Sequence, residues 1–139
     1  MSELFIDMKY TPSQVKMMNP LVLAYIGDAV YELFVRTEMI SLHDQYTVHK
    51  LHNEVVGFVK ASAQFETMKT IEQELTEEEL YIYKRGRNAK SAVPKSAEVS
   101  EYRVATGFEA VLGYLYLLGE SERLKTILNK IIELREKNK

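Results

Sequence analysis

Apolar residues recur along this chain at helical spacing, and almost nowhere do they alternate as strands require. Toward the C-terminus, Leu124, Ile127, Leu128, Ile131 and Leu134 follow an i, i+3, i+4, i+7 stripe, and Lys and Arg accumulate behind it as a helix C-terminus favours. Val48, Leu51, Val55 and Phe58 or Val59 form a second such face. Two other segments are apolar nearly all round: Leu21 to about Arg36, and Val104 to Leu118. That pattern predicts helices packed on several sides, with the Leu21 segment in the middle of the core. No alternating β-branched run bounded by a turn dipeptide occurs, so the predicted fold class is all-α.

Start and stop signals divide the pattern further. Thr11-Pro12-Ser13-Gln14 joins a capping hydroxyl, a proline at the first helical position and a Gln at the third, opening a short helix with Val15 and Met18. Asn19-Pro20 restarts the chain, Ser41 to Tyr46 reads as a polar turn, and Thr47 caps the helix that follows. Thr76-Glu77-Glu78-Glu79 is a second capping box. From Lys84 to Lys95 the apolar periodicity vanishes around Gly86 and Pro94, which predicts a loop. A helix should begin between Ser96 and Ser100 and end at Gly119, and Ser121 opens the last one.

Composition narrows the class. With 139 residues, 46% of them hydrophobic, the chain suits a single globular domain able to bury a core unaided. The absence of Cys removes disulfides, thiolate metal sites and cysteine nucleophiles. Asp28 and Glu32 interrupt the most apolar stretch, so no membrane span is expected, and Met1 to Tyr10 lacks the order of a signal peptide. The cytoplasm is the expected compartment. A net charge of -2 excludes a uniformly basic nucleic-acid binder but leaves room for a local patch.

The chemistry is concentrated in an anomaly that occurs twice. Asp28 stands alone in an otherwise apolar helix, directly after Gly27, and Glu109 stands alone in another, between Gly107 and Gly113. A carboxylate in such a place must be protonated, paired with a base, or turned toward a hydrated cleft that holds a cation. Pairing of Asp28 with Arg36 or Arg103 and simple solvent exposure both stay open. Two acids on helices whose glycines allow close approach nevertheless suggest a shared divalent ion, for which all-oxygen ligands suit Mg²⁺ or Mn²⁺ better than Zn²⁺.

Other clusters carry less. His49 and His52 share a helix face without a third ligand in register and read as a histidine pair rather than a metal site. Capping and solvation account for Glu72, Glu74, Glu77, Glu78 and Glu79. Lys84, Arg85, Arg87, Lys90 and Lys95, with Asn88 and Ser91, occupy a segment without acids. It reads either as a solvated loop or as a cradle for a nucleic-acid backbone.

Leu23-Ala24-Tyr25-Ile26-Gly27-Asp28-Ala29-Val30-Tyr31-Glu32-Leu33 resembles the signature helix of the ribonuclease III endonuclease domain, and Glu109-Ala110-Val111-Leu112-Gly113 resembles its second acidic motif. With Tyr83 to Ser91 and Tyr102 to Glu109, the likeness covers nearly the whole chain and is closest to the Mini-ribonuclease III branch, which has no double-stranded-RNA-binding domain. The resemblance implies one catalytic domain over residues 1–139, folded as a helical bundle and paired as a homodimer. It implies Mg²⁺-dependent cleavage of double-stranded RNA to 5′-phosphate and 3′-hydroxyl ends, with precursor 23S ribosomal RNA as the usual substrate and no organic cofactor.

By the same resemblance Asp28 and Glu109 are the catalytic metal ligands, and Tyr25 lies at the dimer interface. The family carries further acids where this chain has Ala24 and Thr106, although the Thr106 hydroxyl can still hold a metal water. Lys84, Arg85, Arg87, Asn88, Lys90 and Lys95 are the expected RNA contacts. Two other readings compete: a catalytically inert helical module that binds RNA or the ribosome, and an all-α nucleotide pyrophosphohydrolase built on the Glu72 to Glu79 acids.

Overall fold

A computed structural model describes residues 9–90, 92–93 and 98–137. It contains α1 (Pro12–Lys16), α2 (Pro20–Leu42), α3 (Val48–Val59), α4 (Ala61–Ile71), a 3₁₀ turn (Glu72–Glu74), α5 (Glu77–Asn88), α6 (Val99–Leu118) and α7 (Ser121–Lys137). No strand occurs among the described residues, and the fold is all-α.

The capping chemistry sets the boundaries. The Gln14 amide donates to the Thr11 hydroxyl at 3.2 Å while the Thr11 amide donates to the Gln14 side chain at 2.8 Å. Thr76 and Glu79 form the equivalent pair on α5. Asn19 accepts from the Leu21 amide, Thr47 from the Lys50 amide, and Gly119 ends α6 in the left-handed conformation at φ 76°.

At the centre stands α6, buried almost without interruption from Ala105 to Tyr116, with α2, α4 and α5 packed around it. This corrects the expectation for α2. Leu23, Ala24, Gly27, Tyr31, Val35 and Met39 face the core, but Val22, Tyr25, Leu33 and Ile40 on the opposite side are exposed. Its all-round apolar pattern therefore marks one face turned inward and another left bare in the single chain. The Tyr31 ring meets Phe108 of α6 edge-on at 5.1 Å.

The expected loop at Lys84 is also corrected, because α5 continues to Asn88. Gly86 does not break the helix. A Cβ there would lie 2.9 Å from the Gly107 Cα and 3.0 Å from the Ala110 Cβ, so the glycine serves the close crossing of α5 over α6. The acid run is structural: Arg123 grips buried Glu79 through two hydrogen bonds of 2.8 Å, and Tyr114 donates to Glu78. Burial pushes the Glu79 carboxyl up, but the hydrogen bonds from Arg123 and Thr76 outweigh it and hold the group below the ordinary carboxylate range.

Candidate active site

Asp28 follows Gly27 on α2, and Gly27 lies against the backbone of Glu109 on α6, so the crossing of these two helices brings the acids together. Asp28 is exposed and Glu109 partly buried. Burial pushes the Glu109 carboxyl up to about 8, and the negative charge of Asp28 adds to the rise. The pairing of Asp28 with Arg36 left open by the sequence does not form, since Arg36 binds Glu32 at 2.6 Å. Neither Asp28 nor Glu109 makes an ion pair with a Lys or Arg among the described residues.

One partner was not foreseen. Gln64, in the first turns of α4, donates its amide to Glu109 Oε2 at 3.1 Å and to the Val59 carbonyl at 2.7 Å. Thr106 is buried one turn before Glu109, and its hydroxyl donates to the Tyr102 carbonyl at 3.0 Å, committing its proton to its own helix.

The donor set fits a hard divalent cation. No group of three or more His, Asp or Glu side chains gathers among the described residues, so the site is a sparse one of two carboxylates. Mg²⁺ is commonly held in that way, by one or two carboxylates with water and substrate phosphate completing its shell. His49 and His52 lie on α3, exposed, and His49 contacts Asn53.

The basic segment follows the crossing of α5 over α6, where Gly86 packs on Gly107 and Ala110, on a side of α6 turned about 100° or more from Glu109. Lys84, Asn88 and Lys90 are exposed, and the Arg87 guanidinium stacks over the Tyr83 ring at 5.5 Å. Arg85 differs from them, since it donates to the Lys16 carbonyl at 2.8 Å and lies over Tyr81, tying α1 to α5. Lys95 falls outside the described residues. Tyr25 projects from the outer face of α2 and is 80% exposed.

An all-helical bundle with a paired-acid centre where α2 crosses α6, and a cationic end on the helix that crosses α6 elsewhere, defines the class of domain. Residues 21–120 match the model of the Ribonuclease III domain. A Mini-ribonuclease 3 from Clostridium tetani is 50% identical over 139 aligned residues, covering 99% of this chain and 92% of that relative. One from a Thermoanaerobacter species is 54% identical over 127 residues, covering 91% and 89%. The crystal structure of a Fusobacterium nucleatum protein superposes with a TM-score of 0.78 at 36% identity, covering 88% of this chain and 98% of the other. The chain belongs to the ribonuclease III family, in its Mini-ribonuclease 3 branch.

Proposed function

We propose that this chain is a divalent-cation-dependent endoribonuclease that cleaves double-stranded RNA, with precursor 23S ribosomal RNA as its substrate and 5′-phosphate and 3′-hydroxyl ends as its products. The observation that carries this reading is the convergence of Asp28 and Glu109 across the α2–α6 crossing, unpaired with any base among the described residues. Together they would hold Mg²⁺, with Mn²⁺ able to replace it, and Thr106 can accept a hydrogen bond from water in its shell. When bound, such an ion polarises the scissile phosphate and makes water a better nucleophile at neutral pH.

The chain's own residues supply the rest. Lys84, Arg87 and Lys90, with Asn88, meet the phosphate backbone from the end of α5, so affinity rests on charge and duplex shape more than on base identity. The deep, narrow major groove of A-form RNA admits no side-chain readout in any case. Work in the cytoplasm accords with the lack of Cys, and no described helix is long and apolar enough to cross a membrane.

The reading includes a homodimer. Val22, Tyr25, Leu33 and Ile40 make an exposed apolar stripe along α2. Beside it runs a groove of about 520 Å³ lined by Ile26, Val30, Phe34, Tyr116, Leu124 and Leu128. An exposed apolar face of this kind, crossed by the Arg36–Glu32 ion pair, favours a protein partner, and a two-fold pair would present one acidic site to each strand of a duplex. The test is to incubate the protein with a double-stranded and a single-stranded RNA, each with and without Mg²⁺. Cutting of the duplex alone, and only with the ion, is expected; binding without cleavage would leave an inert RNA-binding module in its place.

A further inference from the structure

Gln64 lies at a position where an apolar side chain would fill the same space. It is 2% exposed, on a stripe of α4 that also faces the core through Ala63, Thr67, Met68 and Ile71. Its amide nitrogen has two acceptors, the Val59 carbonyl and Glu109 Oε2, while its Oε1 is buried with no partner. The Val59 carbonyl fixes the orientation, because a flipped amide would set its oxygen against that carbonyl in place of a 2.7 Å hydrogen bond. Leaving an oxygen bare is the price of keeping the nitrogen on Glu109.

The anchor of this contact is rigid. Three consecutive carbonyls at the end of α3 accept side-chain hydrogen bonds from three other helices: Gly57 from Arg135 of α7, Phe58 from Tyr31 of α2, and Val59 from Gln64 of α4. The turn that joins α3 to α4 at Lys60 is thus pinned from three directions. Gln64 conveys that fixed point to the Glu109 side chain. Among the described residues no Lys, Arg or other amide reaches Glu109.

We infer that Gln64 is a positioning residue, which holds the Glu109 carboxylate in its cation-binding orientation by occupying Oε2 and leaving the second oxygen for the ion. This rests on the proposed reading of Asp28 and Glu109 as ligands. Outer partners that orient a ligand carboxylate commonly change metal affinity or activity by 10- to 100-fold when removed, roughly the effect expected here.

The experiment measures Mn²⁺ binding to the RNA-free protein by calorimetry, with melting temperature and cleavage kinetics alongside. Gln64→Leu and Gln64→Met should each weaken Mn²⁺ about tenfold or more and raise the Mg²⁺ needed for half-maximal cleavage equally. The KM for RNA should stay unchanged, and the helical signature and cooperative melting should persist. Wild-type Mn²⁺ affinity in a folded Gln64→Met protein would overturn the inference. So would loss of fold in both variants, which would assign Gln64 to the framework alone. Asp28→Asn and Glu109→Gln serve as controls: if they too bind Mn²⁺ normally, the ligand reading itself fails, whereas if only they lose it, the positioning role alone fails.

Discussion

Gly27 of α2 rests on the backbone carbonyl of Glu109 in α6, and four residues or so along each helix Gly113 rests in the same way on the carbonyl of Leu23. A Cβ at Gly27 would also sit 2.8 Å from the Gly113 amide nitrogen, so the two helices meet backbone to backbone. This reciprocal contact fixes how far Asp28 stands from Glu109. The glycines are therefore part of the site's geometry as well as of the core's packing.

Gly27→Ala and Gly113→Ala should each destabilise the fold by about 3 kcal/mol or more, since neither carbonyl can yield without moving a central helix. Gly57 is the internal control. Nothing lies within 4 Å of a Cβ built there, so Gly57→Ala in α3 should stabilise by up to about 1 kcal/mol through helix propensity. Urea denaturation of the three variants checks the contrast, and equal effects at all three positions would contradict the crossing described.

Asp28→Asn tests the chemistry with the least structural disturbance, because Asp28 is exposed and makes no ion pair among the described residues that its loss would break. Cleavage of duplex RNA should fall to the level seen without a divalent ion, and duplex binding should persist through the cationic end of α5. Retained turnover would remove Asp28 from the mechanism.

The raised pKa of Glu109 makes a signed prediction for the metal-free protein. Burial and the charge of Asp28 lift the carboxyl from 4.5 to about 8, so between those values the native chain holds a proton that the unfolded chain has released. The resulting stabilisation is complete below the unfolded value and is lost as pH rises through the folded one. Wild-type melting temperature without metal should therefore decline from about pH 5 to about pH 9 more steeply than that of Glu109→Gln. A divalent ion competes for the same carboxylate, so its affinity should rise over that window. Parallel pH profiles for the two proteins would refute the assignment.

The acids were legible in the sequence because a charge inside an apolar stripe is conspicuous, and the capped starts of α1, α3 and α5 were legible because capping is local chemistry. Other features depended on tertiary contacts. Gly86 reads as a breaker until α6 is seen to pass beneath it. The α4 helix follows Lys60, which gives it no side-chain cap, and it carries no start signal to set it apart from α3. Gln64 gave a fainter form of the signal that Asp28 and Glu109 gave: a polar residue on the face shared by Thr67, Met68 and Ile71. An uncharged amide is common enough on a helix that only its burial and its contact with Glu109 reveal the role. The bare outer face of α2 was not legible in the apolar pattern itself, since apolar residues all round a helix look the same whatever covers them, and only the family resemblance singled out Tyr25 on it.

The basic residues from Lys84 to Lys90 divide into two groups that salt dependence can separate. Lys84 and Lys90 are exposed, and the contacts of Arg87 among the described residues, to the Tyr83 ring and the Asn88 side chain, stay within its own helix, so each alanine substitution should weaken duplex binding and flatten the dependence of log affinity on log salt by roughly one unit for each phosphate left without its cation. Arg85 is committed: its guanidinium bonds the Lys16 carbonyl and covers Tyr81. Arg85→Ala should instead reduce stability by about 1 to 2 kcal/mol, because it releases α1 from α5, and should change the salt slope little. Binding isotherms across a salt series, paired with denaturation curves, distinguish the groups. A slope change for Arg85→Ala as large as that for Arg87→Ala would place both guanidinium groups on the RNA and reverse the division.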